Sequence, residues 1–349
     1  MQNNLKDDYY PLVSIITPTY NHKKFIEHTI KSVIKQTYPN WEMFIVDDFS
    51  SDGTEAIAIH YARADNRIKY LRHEKNYGIC KLSECYNETL NLSRGELLAI
   101  LEGDDLWPEN KLEKQIPCFR EDKVVLAWGK GVIVNFEGKS IGIVPFPKIN
   151  NKLRNIYENR PVGYALNKLL LTNFIIPAVS VMVRKEAILG IGGFQQIPGT
   201  CFTDYPTWLE LSTKGEFRFC EDVTGYWRVH AQQTTSQFPK KFFIDTANIS
   251  KNFLDKNAGK QNYLFLNKKI IIAHNYWLIG QYKLSAGESA EARKYFWKTV
   301  VEGSYSLKIR GLLGIISSFL NIDITNVEKF LKFFKKIHYT ISNKITYRT

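Results

Sequence analysis

The chain has 349 residues, of which 44% are hydrophobic, and it carries a formal net charge of +12. The length fits one large domain with an appendage or two domains, and the apolar content excludes a disordered chain. A basic surface suits phosphates, nucleic acid or an anionic membrane, and the charge alone does not choose among them.

Cysteine usage and the termini narrow the class of protein. The five cysteines form no Cys-x-x-Cys pair, which argues against a disulfide framework and a structural zinc site and favours reduced cytosolic thiols. Residues 1–10 are polar and show no secretory signal. No apolar stretch approaches the roughly 20 residues that span a bilayer. The sequence therefore predicts a protein that is soluble or lies on a membrane surface.

Apolar runs typical of buried strands alternate with helix-spaced segments in the first part of the chain. The predicted strands are residues 13–17, ending at Pro18, then 43–46, 68–71, 97–101 and 124–128. The predicted helices are residues 25–37, 55–64, 79–92 and 109–120. This alternation indicates an α/β fold whose parallel strands are joined by right-handed crossovers.

The pattern changes along the second part of the chain. Residues 137–162 are rich in Gly, Pro, Asn and Lys and are predicted to form a loop. A helix at 163–172, a strand at 178–183 and a helix at 205–214 follow. From about residue 240 onward the pattern is helical, with predicted helices at 263–284, 289–301, 307–320 and 326–338. We therefore divide the chain into a domain over residues 1–240 and a helical C-terminal region over residues 241–349.

Two features of the C-terminal region leave alternatives open. The spacing of Tyr282, Gly287, Ala292 and Phe296 suits a helical-repeat hairpin or a plain helix pair. Residues 326–338 combine lysines with aromatic and aliphatic side chains. That pattern suits an interfacial membrane helix or a docked helix with a solvated lysine face.

Clustered acids follow the strand at 97–101. Glu102, Asp104 and Asp105 come directly after it, where open α/β folds bind ligands. Neighbouring carboxylates repel one another unless a cation lies among them, and oxygen ligands suit Mg²⁺ or Mn²⁺. The pattern predicts a divalent metal cofactor and an enzyme that handles a nucleotide diphosphate.

The ends of three predicted strands together resemble a known family. The first strand ends in Thr17-Pro18-Thr19-Tyr20-Asn21, the second in Asp47-Asp48, and the fourth in the acidic cluster. In this order and spacing, residues 11–238 resemble the family 2 glycosyltransferases. The resemblance implies the GT-A fold of nucleotide-diphospho-sugar transferases, a Rossmann-like mixed sheet flanked by helices, here with a C-terminal α-helical region.

The resemblance implies a set of donor-binding residues. Asp48 would accept a hydrogen bond from the base, with Asp47 holding the loop; a turn or a helix cap is the structural alternative for both. The region of Asn76 would open a helix that contacts the donor. The other residues carried over to the nucleotide are Thr17, Pro18 and Tyr20 at the base, and Lys81 at the diphosphate or, alternatively, in solvent.

The acidic cluster matches the family's Asp-x-Asp motif, with Glu102 in place of the first Asp. By resemblance Asp104 is the direct metal ligand, and Glu102 contacts ribose or a metal-bound water. Gly103 would let the backbone approach the ligand closely, and Asp105 would support the metal shell or the sugar. Further along, Arg228 could pair with phosphate, and His230 could bind the metal or diphosphate or be structural.

The catalytic base is expected in the segment Thr203-Asp204-Tyr205-Pro206. Family members carry an acidic pair before a helix here, and Thr203 replaces the first acid, so Asp204 takes the role alone. A helix cap is the alternative or an additional role. Gly192-Gly193-Phe194 matches the loop beside the acceptor. Trp208 could stack on a sugar ring or belong to the core.

The sequence thus predicts a metal-dependent inverting glycosyltransferase that moves a sugar from a nucleotide-diphosphate donor, expected to be a UDP-sugar, to a hydroxyl of a glycan or lipid-linked acceptor. By resemblance it would act in bacterial cell-surface polysaccharide synthesis, of the lipopolysaccharide or capsule type. We expect a cytoplasmic protein, peripheral at the inner face of the membrane through its basic C-terminal helices, with no nucleic-acid partner. The alternative is a non-catalytic scaffold that binds membranes or partners.

Overall fold

The structure, a computed structural model, describes residues 9–145, 151–258 and 267–320. These residues form two compact units, and the second unit begins at Phe238. The first unit is a sheet with helices and the second is helical.

The sheet of the first unit is mixed, in the order β3-β2-β1-β4-β7-β5-β6, with β8 paired to β5. Its strands are β1 (Val13–Thr19), β2 (Trp41–Asp47), β3 (Ile68–Arg72), β4 (Leu97–Ile100), β5 (Val124–Val134), β6 (Ser140–Ile143), β7 (Met182–Arg184) and β8 (Glu216–Arg228).

Strand direction decides which residues meet. Strands β1 to β4 are mutually parallel, so their carboxyl ends lie at one edge of the sheet. Strand β7 is antiparallel to both β4 and β5, and β8 is parallel to β5. Strand β8 therefore runs in the same sense as β4, and its end reaches the same edge. A two-residue bridge between Leu106 and Tyr226 joins the segment after β4 to β8.

The helices of the first unit are mostly short. They are α1 (Ile26–Ile34), α2 (Thr54–Ala64), α3 (Leu82–Leu92), α4 (Lys111–Gln115), α5 (Asn151–Tyr157), α6 (Leu166–Leu169), α7 (Lys185–Leu189), α8 (Asp204–Leu211) and α9 (Thr234–Gln237). Three 3₁₀ turns cover Ile79–Lys81, Ile116–Phe119 and Ala178–Ser180.

Burial explains the strongest sequence signals. All seven residues of β1 and all seven of β2 are buried, because the strands are central and both faces of the sheet are covered. Helix α1 buries Ile26, Ile30 and Val33 at helical spacing. On its exposed side Glu27 and Lys31 form an i,i+4 ion pair.

Four sequence predictions need correction. The predicted strand at 178–183 is a 3₁₀ turn over Ala178–Ser180 followed by β7, because the N–H groups of Ser180 and Val181 donate back to the carbonyls of Pro177 and Ala178. Strand β1 does not end at Pro18 but continues to Thr19, because the Pro18 carbonyl still accepts a hydrogen bond, from the Gly103 N–H at 3.0 Å. The predicted loop at 137–162 contains β6 and α5; β6 is an edge strand with exposed side chains, so it lacks an apolar run. Strand β8 was not predicted, since charged residues interrupt it and its pairing with β5 shifts register.

The second unit contains four described helices: α10 (Lys241–Lys256), α11 (Lys268–Ser285), α12 (Ser289–Glu302) and α13 (Tyr305–Leu320). Helices α11 and α12 form a hairpin whose turn includes Gly287 in the left-handed region. Phe296 of α12 is fully buried against Gly280 of α11 and Gly314 of α13. A Cβ atom at either glycine would lie 2.6 Å from the Phe296 ring, so both glycines are required for this close packing.

Within the part of the chain that the structure describes, no helix combines the length and the apolar character that a membrane span needs. The predicted basic helix at 326–338 lies outside the described residues.

Candidate active site

The loop after β4 is fixed against β1 and α1. The Thr29 hydroxyl of α1 donates to the carbonyls of Gly103 and Asp105, at 3.0 and 2.8 Å. A Cβ atom at residue 103 would lie 2.5 Å from the Thr19 hydroxyl and 2.8 Å from a His22 ring nitrogen. Gly103 therefore permits a close approach to protein atoms of the β1 end, whereas the sequence had suggested an approach to a ligand.

Arg228 holds this loop from the side of β8. Its backbone N–H donates to an Asp105 carboxylate oxygen at 2.8 Å, and its Nε donates to the Asp104 carbonyl at 2.7 Å. Its Nη1 donates to the carbonyls of Asn135 and Phe136. Burial, and then the charges of Asp104 and Glu102, raise the pKa of Asp105 well above its usual range. Both side chains are almost fully buried, which leaves little of their surface for a phosphate or a sugar, although Nη2 of Arg228 has no partner among the described residues.

Two histidines face Asp104. The Nε2 atom of His230 lies 3.0 Å from Oδ2 of Asp104, and Nε2 of His22 lies 3.9 Å from the same oxygen. Burial opposes ionisation of Asp104, but the charge of His22 and the hydrogen bond from His230 outweigh it and lower the pKa of Asp104. Burial lowers the pKa of His22, against the opposing effect of the Asp104 charge. The sequence had indicated His230 but not His22.

Four buried polar atoms at this edge have no hydrogen-bond partner among the described residues: Thr17 Oγ1, Glu102 Oε2, Arg228 Nη2 and His230 Nδ1. Buried polar atoms are nearly always paired, so atoms left over indicate a place for water, an ion or a ligand. The other oxygen of Glu102 accepts from the Tyr86 hydroxyl at 3.0 Å. Burial, with the charges of Asp104 and Asp204, raises the pKa of Glu102 to about 7.

The donor set at Asp104 fits a divalent cation. A carboxylate with an imidazole beside it suits Mn²⁺ or a similar ion. The residues that would hold the ion are Asp104 and His230.

Asp204 is the first residue of α8. Its Oδ2 accepts from the Asn173 amide at 3.1 Å. Burial raises the pKa of Asp204 from 3.8 to about 6, and its charge acts on both Glu102 and Tyr86. Such a pKa suits a general base at neutral pH. Trp208 of the same helix is fully buried, so it belongs to the core and is not available to stack on a sugar.

The end of β2 anchors the neighbouring loops. Asp47 is fully buried and accepts from the Ser50 N–H, the Tyr70 hydroxyl and Arg72. Asp48 holds the loop at 76–78: its carbonyl accepts from the Asn76 amide at 2.9 Å, and its carboxylate accepts two backbone N–H groups.

The remaining donor-site candidates differ in exposure. Thr17 and Pro18 are buried at the end of β1, and Tyr20 beyond them is 47% exposed. Lys81 is exposed and pairs with Glu84 at 3.2 Å. A solvated lysine was the alternative for Lys81, and this geometry gives the diphosphate contact no support.

Helix α3 holds three other parts of the site through side-chain hydrogen bonds, and the sequence did not indicate these contacts. Tyr86 binds Glu102, and Glu88 accepts from His73 at 2.9 Å. Asn87 binds the backbone N–H and carbonyl of Phe194, next to the glycine pair of the predicted acceptor loop. A Cβ at Gly193 would lie 2.5 Å from the Asn87 side chain, so this loop must carry glycine there. The only sign of these contacts in the sequence is that Tyr86, Asn87 and Glu88 are three consecutive residues with polar groups.

Comparisons with known proteins identify the family of this chain. The family profile described as Glycosyl transferase family 2 matches residues 14–186. TuaG of Bacillus subtilis strain 168 is 34% identical over 209 residues, which cover 60% of this chain and 75% of TuaG. Its name describes it as a glycosyltransferase of teichuronic acid biosynthesis. WfgD of Escherichia coli, a UDP-Glc:alpha-D-GlcNAc-diphosphoundecaprenol beta-1,3-glucosyltransferase, is 36% identical over 178 residues, 50% of this chain and 66% of WfgD.

The fold also matches solved structures. S. aureus TarS 1-349 in complex with UDP-GlcNAc superposes with a TM-score of 0.60, covering 93% of this chain and 91% of that one, at 16% sequence identity. At this identity the match concerns the fold, and it confirms the predicted mixed sheet flanked by helices with a helical C-terminal region. On the sequence match and the fold together, this chain belongs to glycosyl transferase family 2 and is a glycosyltransferase with a GT-A-type fold.

Proposed function

We propose that the enzyme transfers a sugar from a UDP-sugar to a hydroxyl of a growing glycan, with inversion at the anomeric carbon, in bacterial cell-surface polysaccharide synthesis. The observation that carries the proposal is the meeting of Asp104, His230, Glu102 and Asp204 at one edge of the sheet. The names of TuaG and WfgD and the UDP-GlcNAc bound to TarS support the donor and pathway classes.

Asp204 is proposed as the general base. Its carboxylate would take the proton of the acceptor hydroxyl while that oxygen bonds to the anomeric carbon and the bond to the nucleoside diphosphate breaks. The raised pKa supports this role, because a base of about pKa 6 is ionised at neutral pH yet accepts a proton readily. The hydrogen bond from Asn173 would fix the orientation of the carboxylate.

Asp104 and His230 are proposed to hold a divalent metal, with Mn²⁺ or Mg²⁺ as the candidates. When bound, such an ion supplies Lewis-acid stabilisation of the charge on the departing diphosphate. Arg228 and Thr29 would keep the Asp104 loop in place through its carbonyl groups. The imidazole beside Asp104 favours Mn²⁺ over Mg²⁺, which prefers oxygen ligands alone.

The nucleotide is proposed to lie between the ends of β1 and β2. Asp48 would accept from the base, with exposed Tyr20 covering it and the buried Thr17 and Pro18 forming the floor. Asn76 would act by holding the Asp48 backbone. The diphosphate contacts predicted for Lys81 and Arg228 have weaker support. Lys81 is exposed and pairs with Glu84, and the buried Arg228 guanidinium donates to backbone carbonyls.

A lipid-linked acceptor is proposed for the sugar, by analogy with the diphosphoundecaprenol in the name of WfgD. This would place the enzyme at the cytoplasmic face of a membrane. The basic residues 322–349 are the proposed anchor, and they lie outside the described residues.

Thermal denaturation with UDP and Mn²⁺ tests the donor and metal sites together. Ligand at a hundred times its Kd stabilises a protein by about 2.7 kcal/mol, which gives a clear rise in Tm. We expect Asp104→Asn to abolish the Mn²⁺-dependent part of the rise and to weaken Mn²⁺ binding measured by electron paramagnetic resonance. Asp222→Asn, which changes an acid on β8 paired with Lys114, is the matched control.

Slow hydrolysis of a panel of nucleotide sugars, followed by mass spectrometry, would identify the donor. The absence of any response to UDP and Mn²⁺, or equal Mn²⁺ binding by the Asp104 variant, would contradict the proposal.

A further inference from the structure

His73 lies between two carboxylates at the end of β3. Its Nδ1 is 2.8 Å from Oδ1 of Asp48, and its Nε2 is 2.9 Å from Oε2 of Glu88 on α3. An ionised carboxylate can only accept hydrogen bonds, so a ring nitrogen that faces one is placed to donate to it. Hydrogen bonds to a charged acceptor are the stronger class.

The contact between His73 and Asp48 is buried, and an aromatic ring packs against it. His73 and Asp48 are each less than a tenth exposed, and the Tyr77 ring packs on the His73 ring with centroids 4.4 Å apart. Ligand atoms of Asp48, His73 and Cys85 lie within 4.8 Å of one another, which also raises the question of a metal. Burial raises the pKa of the Cys85 thiol to about 12, so the sulfur stays protonated and is a poor metal ligand.

The hydrogen bonds of Asp48 can be counted. Its Oδ1 accepts from His73 and from the Tyr77 N–H at 2.8 Å, and its Oδ2 accepts from the Gly78 N–H at 2.9 Å. A carboxylate offers about four acceptor sites, two on each oxygen. Oδ1 is therefore filled, and one acceptor site remains on Oδ2. The orientation of that site is set by the donors that hold the rest of the group.

We propose that His73 is a positioning residue for base recognition: held by Glu88, it fixes the Asp48 carboxylate so that the one remaining acceptor site faces the imide N–H of a uracil base. This rests on the proposed function, in which Asp48 binds the base of a UDP-sugar. The chemistry selects a base that presents a ring N–H donor, and it excludes one that presents a ring acceptor at that point.

UDP and UDP methylated at N3 of the base form the test pair, since methylation replaces the donor in question with an apolar group at the same position. The full chain is titrated with each by calorimetry in the presence of Mn²⁺. We expect the wild type to prefer UDP by about tenfold or more, the effect of one hydrogen bond to a charged group. Because each variant is judged by the ratio of its two Kd values, a general loss of affinity does not affect the result.

The variants separate the two hydrogen bonds of His73. An asparagine amide can replace Nδ1, which faces Asp48, and a glutamine amide can replace Nε2, which faces Glu88. We therefore expect His73→Asn to keep most of the preference for UDP, while His73→Gln and His73→Phe reduce it toward unity. In the transfer reaction, the same variants should raise KM for the donor and leave kcat nearly unchanged. His60→Gln, at an exposed position on α2, is the control.

An unchanged preference in His73→Gln and His73→Phe would overturn the role of His73 while leaving base binding by Asp48 intact. A wild type that binds both ligands equally would overturn base recognition itself and the inference with it. Stoichiometric metal in the purified wild type that is lost from His73→Phe, measured by elemental analysis, would show that the cluster binds an ion instead.

Discussion

Replacing Asp204 by asparagine should change activity and stability in opposite directions. Burial raises the pKa of Asp204 from 3.8 to about 6 in the folded protein. Its folded pKa therefore exceeds the unfolded one, so the folded state binds the proton more tightly, and the ionised group destabilises the fold as the pH rises through 6. Two pKa units correspond to about 3 kcal/mol at neutral pH.

Asparagine has the same shape, carries no charge, and can still accept from Asn173. We expect Asp204→Asn to raise the free energy of unfolding at pH 7 by up to about 3 kcal/mol in urea titrations, with little gain below pH 4. Transfer should fall by about 10²–10⁴-fold, the usual contribution of a general base. The Kd for UDP should not change, because donor binding does not use this carboxylate.

The pH profile gives a second measure of the same group. In the wild type, kcat/KM should fall about tenfold per unit below pH 6, as the base becomes protonated. The hydrogen bond from Asn173 lowers the pKa of Asp204, so Asn173→Ala should move this acid limb to higher pH. An acid limb near pH 4, or near-normal transfer by Asp204→Asn, would refute the assignment. If Asp204 were only a helix-terminal residue, the substitution would leave activity nearly unchanged, whereas the effect of burial on stability would remain.

Three further outcomes are expected. Gly103→Ala would place a Cβ 2.5 Å from the Thr19 hydroxyl, and we expect it to lower the free energy of unfolding by about 1–3 kcal/mol in urea titrations; unchanged stability would show that the loop can move away. Lys111 is fully buried, and burial lowers its pKa to about 7. The unfolded state therefore binds more protons between pH 7 and 10, and the free energy of unfolding should rise by about 1 kcal/mol per pH unit over that range. Lys111→Met should remove this slope, and an equal slope in both proteins would contradict the assignment. Deleting residues 322–349 should release the protein from anionic vesicles in co-sedimentation and leave donor hydrolysis intact; persistent binding would exclude this segment as the anchor.

The parts of the fold that the sequence revealed are those where burial is two-sided. Strands β1, β2 and β4 are apolar runs because helices or loops cover both faces of the sheet, and their polar ends mark the binding edge. The family and the GT-A-type fold were predicted from these ends, and the comparisons with known proteins confirmed both. Strands β6 and β8 escaped detection because one is an exposed edge and the other has polar interruptions.

Side-chain partners were harder to foresee than positions. Arg228 has the chemistry of a phosphate ligand, yet in the fold its guanidinium binds backbone carbonyls, and no local pattern distinguishes the two uses. His73 and Asn173 are unremarkable in sequence, and they matter only because tertiary contacts bring them to Asp48 and Asp204. Such partners belong to pairs distant in sequence, which a single chain read alone does not disclose.

The contact between Asp104 and His230 has a consequence for synthesis of the protein. The two residues are separated by 126 positions, and the segment matched by the family profile stops at residue 186, before the imidazole has been added. In a nascent chain β1 can pair with β4 before Arg228 and His230 are available to form hydrogen bonds with Asp104. The proposed cation site, made of Asp104 and His230, is thus complete only when the end of β8 has left the ribosome.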